Sequence, residues 1–252
     1  MVKNIIYDCR WSNQLNEKFI SEYISVIEQV FGISMHRDLF NKQYIDNIYG
    51  PSILCIAYID GMPSATEGLW RNDIRGKVAY QSGGSAVLPI CRGKGVFKEM
   101  VRRVVAMTKP EDIVYGFPNL NSYPAFMKFG WKEPIYYHLC ILSSNNEYCR
   151  IHPYNMDEQY FNYWVKGKTD FYYIKRGSMY YLVSKYGRPF CYVVFASVSR
   201  EIAMNYPRLN KLGLIFYRGT KETFYNRRFV GSHVITFKEE TEYIPTWKVD
   251  SI

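Results

Sequence analysis

The stretch LPICRGKGVF, residues 88–97, places two glycines and two cationic side chains directly before a segment with helical periodicity. The first amides of a helix have no partners within the helix, and glycine lets an anion approach the backbone without a Cβ in the way. The stretch therefore predicts an anion-binding loop or an ordinary tight turn, and this motif alone does not choose between them. The helix that follows presents its apolar residues on one face: Val96, Met100, Val101, Val104 and Val105.

Strands are predicted on the N-terminal side of this loop. Three segments of strand-like composition are joined by short turns rich in Asp and Gly, which is typical of an antiparallel meander. Gly83-Gly84 in the third segment predicts a β-bulge. The three segments are SILCIAYID (52–60), MPSATEGLWRND (62–73) and KVAYQSGGSAVLP (77–89).

Further helices and a strand complete the first half of the chain. Apolar spacing predicts a helix over residues 15–31 and a second helical stretch at about 36–48. After the loop helix, DIVYGFPN (112–119) predicts a buried strand. SYPAFMKFGW (122–131) then predicts a short helix closed by Gly130, with another strand after it.

These residues resemble the signature of the GNAT acetyltransferase superfamily, which is Gln/Arg-x-x-Gly-x-Gly/Ala after a bulged strand. The loop supplies that pattern from Arg92 to Val96, although Phe97 departs from the small residue that ends it. The GFPN strand and the helix that closes with Phe129-Gly130-Trp131 resemble the second half of the signature. The resemblance covers roughly residues 1–142.

The resemblance implies an α+β protein with the α/β/α GNAT fold, whose mixed and largely antiparallel central sheet is splayed at the cofactor site. Residues 1–142 would form the acetyltransferase domain with the acyl-CoA loop. After the polar break SSNNEY (143–148), residues 149–252 again show a meander, a helix and a strand, but no glycine loop. This predicts a second, smaller GNAT-like domain that shapes the acceptor site, and an unrelated α+β appendage is the equal alternative.

The resemblance also implies the cofactor and its contacts. Acetyl-CoA would bind between the strands that end near Val87 and Phe117, with its pyrophosphate on loop amides and its pantetheine arm along strand backbone. Asn119 occupies the position of a polar contact to the cofactor. The implied cofactor-binding residues are Val87, Leu88, Arg92, Gly93, Lys94, Gly95, Val96 and Asn119.

The acid and base of the implied reaction are harder to place. Many family members have a tyrosine four residues before the closing glycine, and this sequence has Phe126 there. Tyr123, one turn earlier, is the candidate acid, with simple packing as its alternative role. The bulged strand has no carboxylate, so Glu67 on the neighbouring strand is the candidate base, with a structural carboxylate as the alternative.

Composition limits the other classes of function. The chain has 252 residues and a net charge of +9, which suits an anionic partner such as a phosphorylated cofactor, nucleic acid or an acidic membrane. The charge is spread along the chain, and most of the 24 tyrosines lie in strand-like runs. Nucleic-acid binding is therefore the less favoured interpretation. No apolar run is long enough for a membrane span, and the N-terminus lacks a signal-peptide core, which predicts a cytoplasmic protein.

Cysteine and histidine usage predicts no metal site. The six cysteines include no CxxC pair, and the four histidines lie far apart. Most cysteines are expected to be buried thiols. Cys91 lies beside the glycine loop, yet no His or Asp stands at a spacing that suggests a catalytic partner.

The sequence thus predicts transfer of an acetyl group from acetyl-CoA to an amine, or a hydroxyl, of a small acceptor. An amino sugar or a polysaccharide precursor is the preferred acceptor, by analogy with two-part members of the family. A CoA-binding or regulatory protein without catalytic activity is the first alternative, and a basic nucleic-acid-binding protein is the second. A homodimer is left open.

Overall fold

The computed structural model describes residues 4–74, 76–119, 121–141, 158–185, 189–210, 213–219 and 232–236. They form two compact units. The first contains the described residues of Met1–Pro134 together with Ile235 and Thr236, and the second contains those of Ile135–Val234. The polar break at 143–148 and the start of the second domain at 149 lie outside the described residues, so the predicted domain boundaries stay a prediction.

The first unit is built on a mixed sheet. Its first four strands are antiparallel to their neighbours, the fifth runs parallel to the fourth, and the strand beyond the fifth comes from much later in the chain. The predicted meander is therefore confirmed, and the first strand was not anticipated. In spatial order the strands are β1 (Ile5–Trp11), β2 (Ile53–Ile59), β3 (Met62–Arg71), β4 (Ala79–Val87), β5 (Ile113–Gly116) and β11 (Ser232–Thr236).

The helices of the first unit confirm the apolar spacing. In the first of them the side chain of Asn16 accepts a hydrogen bond from the amide of Phe19 at 2.9 Å, and Gly32 ends the helix with a φ of 65°. The second is short and continues into a π-helical turn over Asn41–Ile45. The helices are α1 (Glu17–Phe31), α2 (Arg37–Phe40), α3 (Val96–Ala106) and α4 (Tyr123–Lys128).

The core of the first unit joins β2, β3 and β4 to the apolar faces of α3 and α4. Buried residues of this cluster include Leu69 of β3, Met100 of α3 and Phe126 of α4. Two cysteines depart from the expectation that most of them are buried thiols. Cys9 and Cys55 stand directly opposite each other on β1 and β2 and are joined as a disulfide, because an antiparallel register brings paired side chains together.

The second unit repeats the topology of the first. The meander is followed by a short helix and then by a strand parallel to the third meander strand, as the sequence predicts. The predicted helical stretch at 199–212 is shorter than expected, because Pro207 disfavours helix before it. In spatial order the strands are β6 (Lys132–Ile141), β10 (Leu214–Gly219), β9 (Cys191–Val198), β8 (Met179–Lys185) and β7 (Phe171–Arg176), with helices α5 (Glu158–Tyr160) and α6 (Arg200–Ala203).

Candidate functional site

A β-bulge interrupts β4 where the two consecutive glycines predict one. Thr66 is paired with Ala86, whereas Gly68 is paired with Gly83, so β4 carries one residue more than β3 between these pairs. Gly84 has a φ of 66°, a conformation that glycine adopts without strain. The second unit has a bulge at the same place in its topology, since β9 also gains one residue against β8.

Two tyrosines contact the bulge, Tyr23 from α1 and Tyr44 from the π-helical turn after α2. A Cβ built on Gly84 would lie 2.5 Å from the hydroxyl of Tyr23 and 3.0 Å from that of Tyr44. The carbonyl of Gly84 accepts a hydrogen bond from Thr66 Oγ1 at 2.9 Å. The close approach of these hydroxyls requires glycine at the bulge and fixes its backbone.

Glu67 lies on β3 opposite the bulged residues and is completely buried. Ser82 Oγ donates a hydrogen bond to its Oε1 at 2.8 Å, and Ser85 Oγ donates to its Oε2 at 2.5 Å. Burial raises the pKa of Glu67 to about 8, and the two serine hydroxyls oppose that rise. The carboxyl group is therefore largely protonated at neutral pH and can lose its proton under mildly alkaline conditions.

The central sheet is splayed immediately after this point. The parallel pairing of β4 with β5 ends at Ser82 and Gly116, while β4 continues to Val87. At the end of β4 the amide of Leu88 donates to the carbonyl of Ser64 at 3.0 Å, so this predicted cofactor contact already has a partner. From Gly83 to Val87, β4 therefore continues without a pair on β5, and the carboxyl ends of parallel strands are the usual place for a ligand in such sheets.

The glycine loop lies at the mouth of this splay. Gly93 and Gly95 have φ values of 74° and 76°, and no atom lies within 4 Å of a Cβ built on either of them. The amide of Arg92 donates to the carbonyl of Pro89 at 3.2 Å. Among the described residues, no group accepts a hydrogen bond from the amides of residues 93–96. These four amides, at the start of α3, are the part of the predicted loop that can hold an anion.

The electrostatics of the loop favour an anion. The side chains of Arg92, Lys94 and Lys98 are exposed around it. Glu99, in the first turn of α3, is hydrogen-bonded to Arg102 and Arg103, which hold its pKa at about 2. Its negative charge is therefore balanced by the next turn of the helix, and the loop keeps its positive character.

Two predicted site residues of the second half, Asn119 and Tyr123, and the phenylalanine at the usual tyrosine position lie in α4 or just before it. Asn119 Oδ1 accepts hydrogen bonds from the amides of Asn121 and Ser122, both at 2.9 Å, so it caps the turn before the helix. Tyr123 is half-buried and packs against the core. Phe126 is buried, with its ring centroid 4.7 Å from that of Trp131, so it is a core residue.

The sequence did not identify three members of this arrangement, namely Ser82, Ser85 and Tyr23. Both serines stand in a strand with no carboxylate of its own, and only the bulge brings them to Glu67. Tyr23 occupies an ordinary apolar position of α1 in the sequence pattern. No local signal distinguishes these residues from core or strand residues. Among the described residues there is no group of three or more His, Cys, Asp or Glu that could hold a metal ion.

Comparison with solved structures identifies the fold. No protein-family model and no curated protein sequence matches the chain. A probable N-acyltransferase of unknown function from Enterococcus faecalis is similar to this chain with a TM-score of 0.53 and 11% identity, over 92% of this chain and 72% of that one. A GCN5-related N-acetyltransferase (GNAT) from Kribbella flavida gives 0.52 and 10%, over 91% and 71%. The chain has the GNAT fold.

The GNAT fold agrees with the architecture predicted from the sequence, and the parts of the candidate site lie in one unit of it. The predicted α+β class and the splayed mixed sheet are confirmed, and both similar structures cover more than nine-tenths of this chain. The bulge in β4, the splay of β4 from β5 and the loop before α3 all belong to the first unit. Within the described part of the chain, no helix is long and apolar enough to cross a membrane.

Proposed function

We propose that the protein is an acyl-CoA-dependent N-acyltransferase that uses acetyl-CoA as its donor. The observation that carries this proposal is the set of four loop amides, from Gly93 to Val96, that have no acceptor among the described residues. The two glycines of this loop face open space, and exposed cations lie beside them. Such a loop suits the pyrophosphate of CoA. The gap between β4 and β5 would then receive the extended pantetheine arm, as an added strand pairs with an open edge.

In this arrangement the acyl group would lie near the bulge. The residues from Gly83 to Val87 extend β4 beyond its last pair with β5, and they span about 16 Å at the usual rise of a strand. An arm that starts at the loop and follows them brings its thioester to the deep end of the splay. A backbone amide at the bulge would stabilise the oxyanion that forms when an amine attacks the carbonyl carbon.

The acceptor in this proposal is a small amine, and an amino sugar or a polysaccharide precursor is preferred. Tyr123 is the proposed acid for the leaving thiolate, because it lies in the first turn of α4 and is only half-buried. Asn119 would contact the cofactor through its side-chain amide nitrogen, because its Oδ1 is used in capping and its backbone amide and carbonyl are hydrogen-bonded within the same turn. The acceptor-binding role predicted for residues 149–252 is part of this proposal.

Thermal stabilisation by acetyl-CoA tests the proposal directly. Millimolar acetyl-CoA should raise the Tm of the wild-type protein, because a ligand that binds only the folded state stabilises it. Gly95→Asp should abolish the shift, since it adds a negative charge and a side chain where the loop is open. Gly32→Asp is the matched control, because Gly32 also has a positive φ and open space but ends α1.

The outcomes separate this function from its alternatives. A shift in the wild type and in Gly32→Asp, without one in Gly95→Asp, is the expected result. The absence of any shift in the wild type would contradict the assignment of the cofactor. A shift without acyl transfer to any member of an amine panel would instead favour a CoA-binding regulatory protein.

A further inference from the structure

Glu67 is a buried carboxyl group whose hydrogen bonds lead toward the splay. One of its oxygens accepts from Ser82, the last residue of β4 that pairs with β5. The other accepts from Ser85, which belongs to the bulge and is only half-buried. Glu67 itself has no exposed surface, so it can exchange a proton with a ligand in the splay only through a neighbouring group such as the hydroxyl of Ser85.

The bulge places Ser85 beside the reactive end of the proposed donor. Ser85 lies within the segment from Gly83 to Val87 that runs along the splay, near its deep end. Ordinary β pairing would put successive β4 residues opposite successive β3 residues, and the extra residue of the bulge instead sets both Gly84 and Ser85 opposite Glu67. The hydroxyl of Ser85 and the carboxyl of Glu67 therefore form a pair at the place where an acyl group would react.

Resting on the proposed function, we propose that Ser85 and Glu67 form a proton relay for the attacking amine. Ser85 contacts the amine, and Glu67 acts through Ser85. As the amine nitrogen forms its bond to the thioester carbon, it loses a proton to Ser85 Oγ, and Ser85 passes its own hydroxyl proton to Glu67 Oε2.

The remaining steps complete the exchange of groups. The tetrahedral intermediate collapses, the carbon–sulfur bond breaks, and CoA leaves as a thiolate. The thiolate takes up one proton, and Glu67 returns its proton to water through Ser85, so the products are an amide and CoA thiol and the relay is restored. No oxidant, reductant or further reactant is required.

The surroundings of Glu67 suit a base of this kind. Its pKa is raised to about 8 by burial, and the serine hydroxyls that bind it do not ionise in this range. From α1 the titratable group near it is Tyr23, whose own pKa is raised well above its usual value by burial, with Tyr44 and Glu67 adding to the rise. Tyr23 therefore stays neutral while Glu67 titrates, and a base with a pKa near the working pH is effective.

The relay is tested by the pH dependence of acyl transfer. Acetyl-CoA is supplied with each of three amine probes, glucosamine, spermidine and a short peptide with a free N-terminus, and release of CoA thiol is followed from pH 6 to 9.5. The wild-type kcat, measured at saturating amine so that the titration of the free amine does not enter, should rise to a plateau with a midpoint near 8. Glu67→Gln and Ser85→Ala should each lower the plateau by about 10²-fold or more and remove that midpoint, because base catalysis contributes on this order.

Thr66→Val is the matched control for damage to the bulge. It removes the Thr66 hydroxyl, which donates a hydrogen bond to the carbonyl of Gly84 in the bulge, and it leaves Glu67 unchanged. The midpoint of the pH profile should therefore stay in place. Tm values in the absence and presence of acetyl-CoA show whether each variant folds and binds the donor. Should Glu67→Gln fail to fold, Ser85→Ala decides the matter alone.

The results distinguish failure of the proton relay from failure of the proposed acyltransferase function. Donor binding by Ser85→Ala together with an unchanged pH profile would overturn the relay and leave the acyltransferase in place. A wild-type protein without a Tm shift from acetyl-CoA would overturn both. Loss of the midpoint in Thr66→Val as well would show that Ser85 acts through the shape of the bulge, which also contradicts the relay.

Discussion

The hydroxyl of Tyr23 lies 2.5 Å from the point at which a Cβ on Gly84 would begin, so α1 and the bulge of β4 fit each other only when residue 84 is glycine. The same hydroxyl lies 2.8 Å from a Cβ built on Gly68, on the neighbouring strand β3. One buried tyrosine therefore explains two glycines in neighbouring strands. It also fixes the backbone that sets Ser85 opposite Glu67.

Gly84→Ala should destabilise the protein by about 2–4 kcal/mol, because it combines left-handed strain with overpacking against Tyr23. Urea unfolding of the purified variant measures the change. Gly83→Ala is the control, since a Cβ at the adjacent glycine meets no atom within 4 Å. Equal losses in the two variants would show that the tyrosine contact does not constrain the bulge.

Glu67→Gln should change how stability depends on pH. The pKa of Glu67 is about 8 in the folded protein, against an ordinary value of 4.5, so the folded state binds more protons between these values. Stability should therefore fall as pH rises from about 4.5 through 8, and the Gln variant should lose that part of the decline. Tm values from pH 5 to 9 measure it.

Glu99→Gln is the matched control for this prediction. The pKa of Glu99 is lowered to about 2 by Arg102 and Arg103, so its contribution is present above pH 4.5 and is lost only as pH falls toward 2. The decline from pH 5 to 9 should persist in this variant. A wild-type Tm that does not fall over that range would contradict the raised pKa of Glu67.

Lys94→Gln should weaken CoA binding by about two- to fivefold at low salt, because an exposed cation beside a phosphate contributes modestly. Titration calorimetry with CoA measures the affinity, and added salt should narrow the difference from wild type. Lys77→Gln is the control, since Lys77 lies before the start of β4 and the glycine loop lies after the end of β4. An equal effect of both substitutions would show that the loop charge has no specific role.

Phe126→Ala should lower the free energy of unfolding by about 3–5 kcal/mol, the usual cost of removing a buried aromatic ring. The ring packs between those of Phe97 and Trp131, at centroid distances of 5.2 and 4.7 Å. Phe31→Ala removes the same side chain from a position that is 51% exposed and should cost far less. Similar losses would place Phe126 outside the core.

Local sequence patterns predicted where the helices and strands lie better than they predicted which strands pair with each other. Apolar periodicity and turn residues indicated α1, α3 and the meander, because these signals are contained in short windows. β1 was missed because IIYDCRW lacks strict alternation and carries Asp8 and Arg10, which pair with each other. The pairing of β11 with β5 joins distant parts of the chain, and no local window contains it.

The candidate site divides in the same way. Consecutive glycines predicted the bulge and the open loop, since glycine marks backbone conformations directly. Glu67 could be named as a carboxylate near the bulge, but its burial and its serine partners depend on the register of two strands. Asn119 was predicted from the sequence to contact a cofactor, but the sequence did not indicate that its side chain also caps the turn before α4.

The pairing of Ile235 with Gly116 has a consequence for how the protein is made. A ribosome completes β5 long before it synthesises the strand that lies against it, so the growing chain carries an unpaired strand edge during that interval. Such edges invite pairing with other chains. A transcript cut short before the codon for Ile235 should therefore yield an aggregating product, even though the segment from β1 to α4 is present in full.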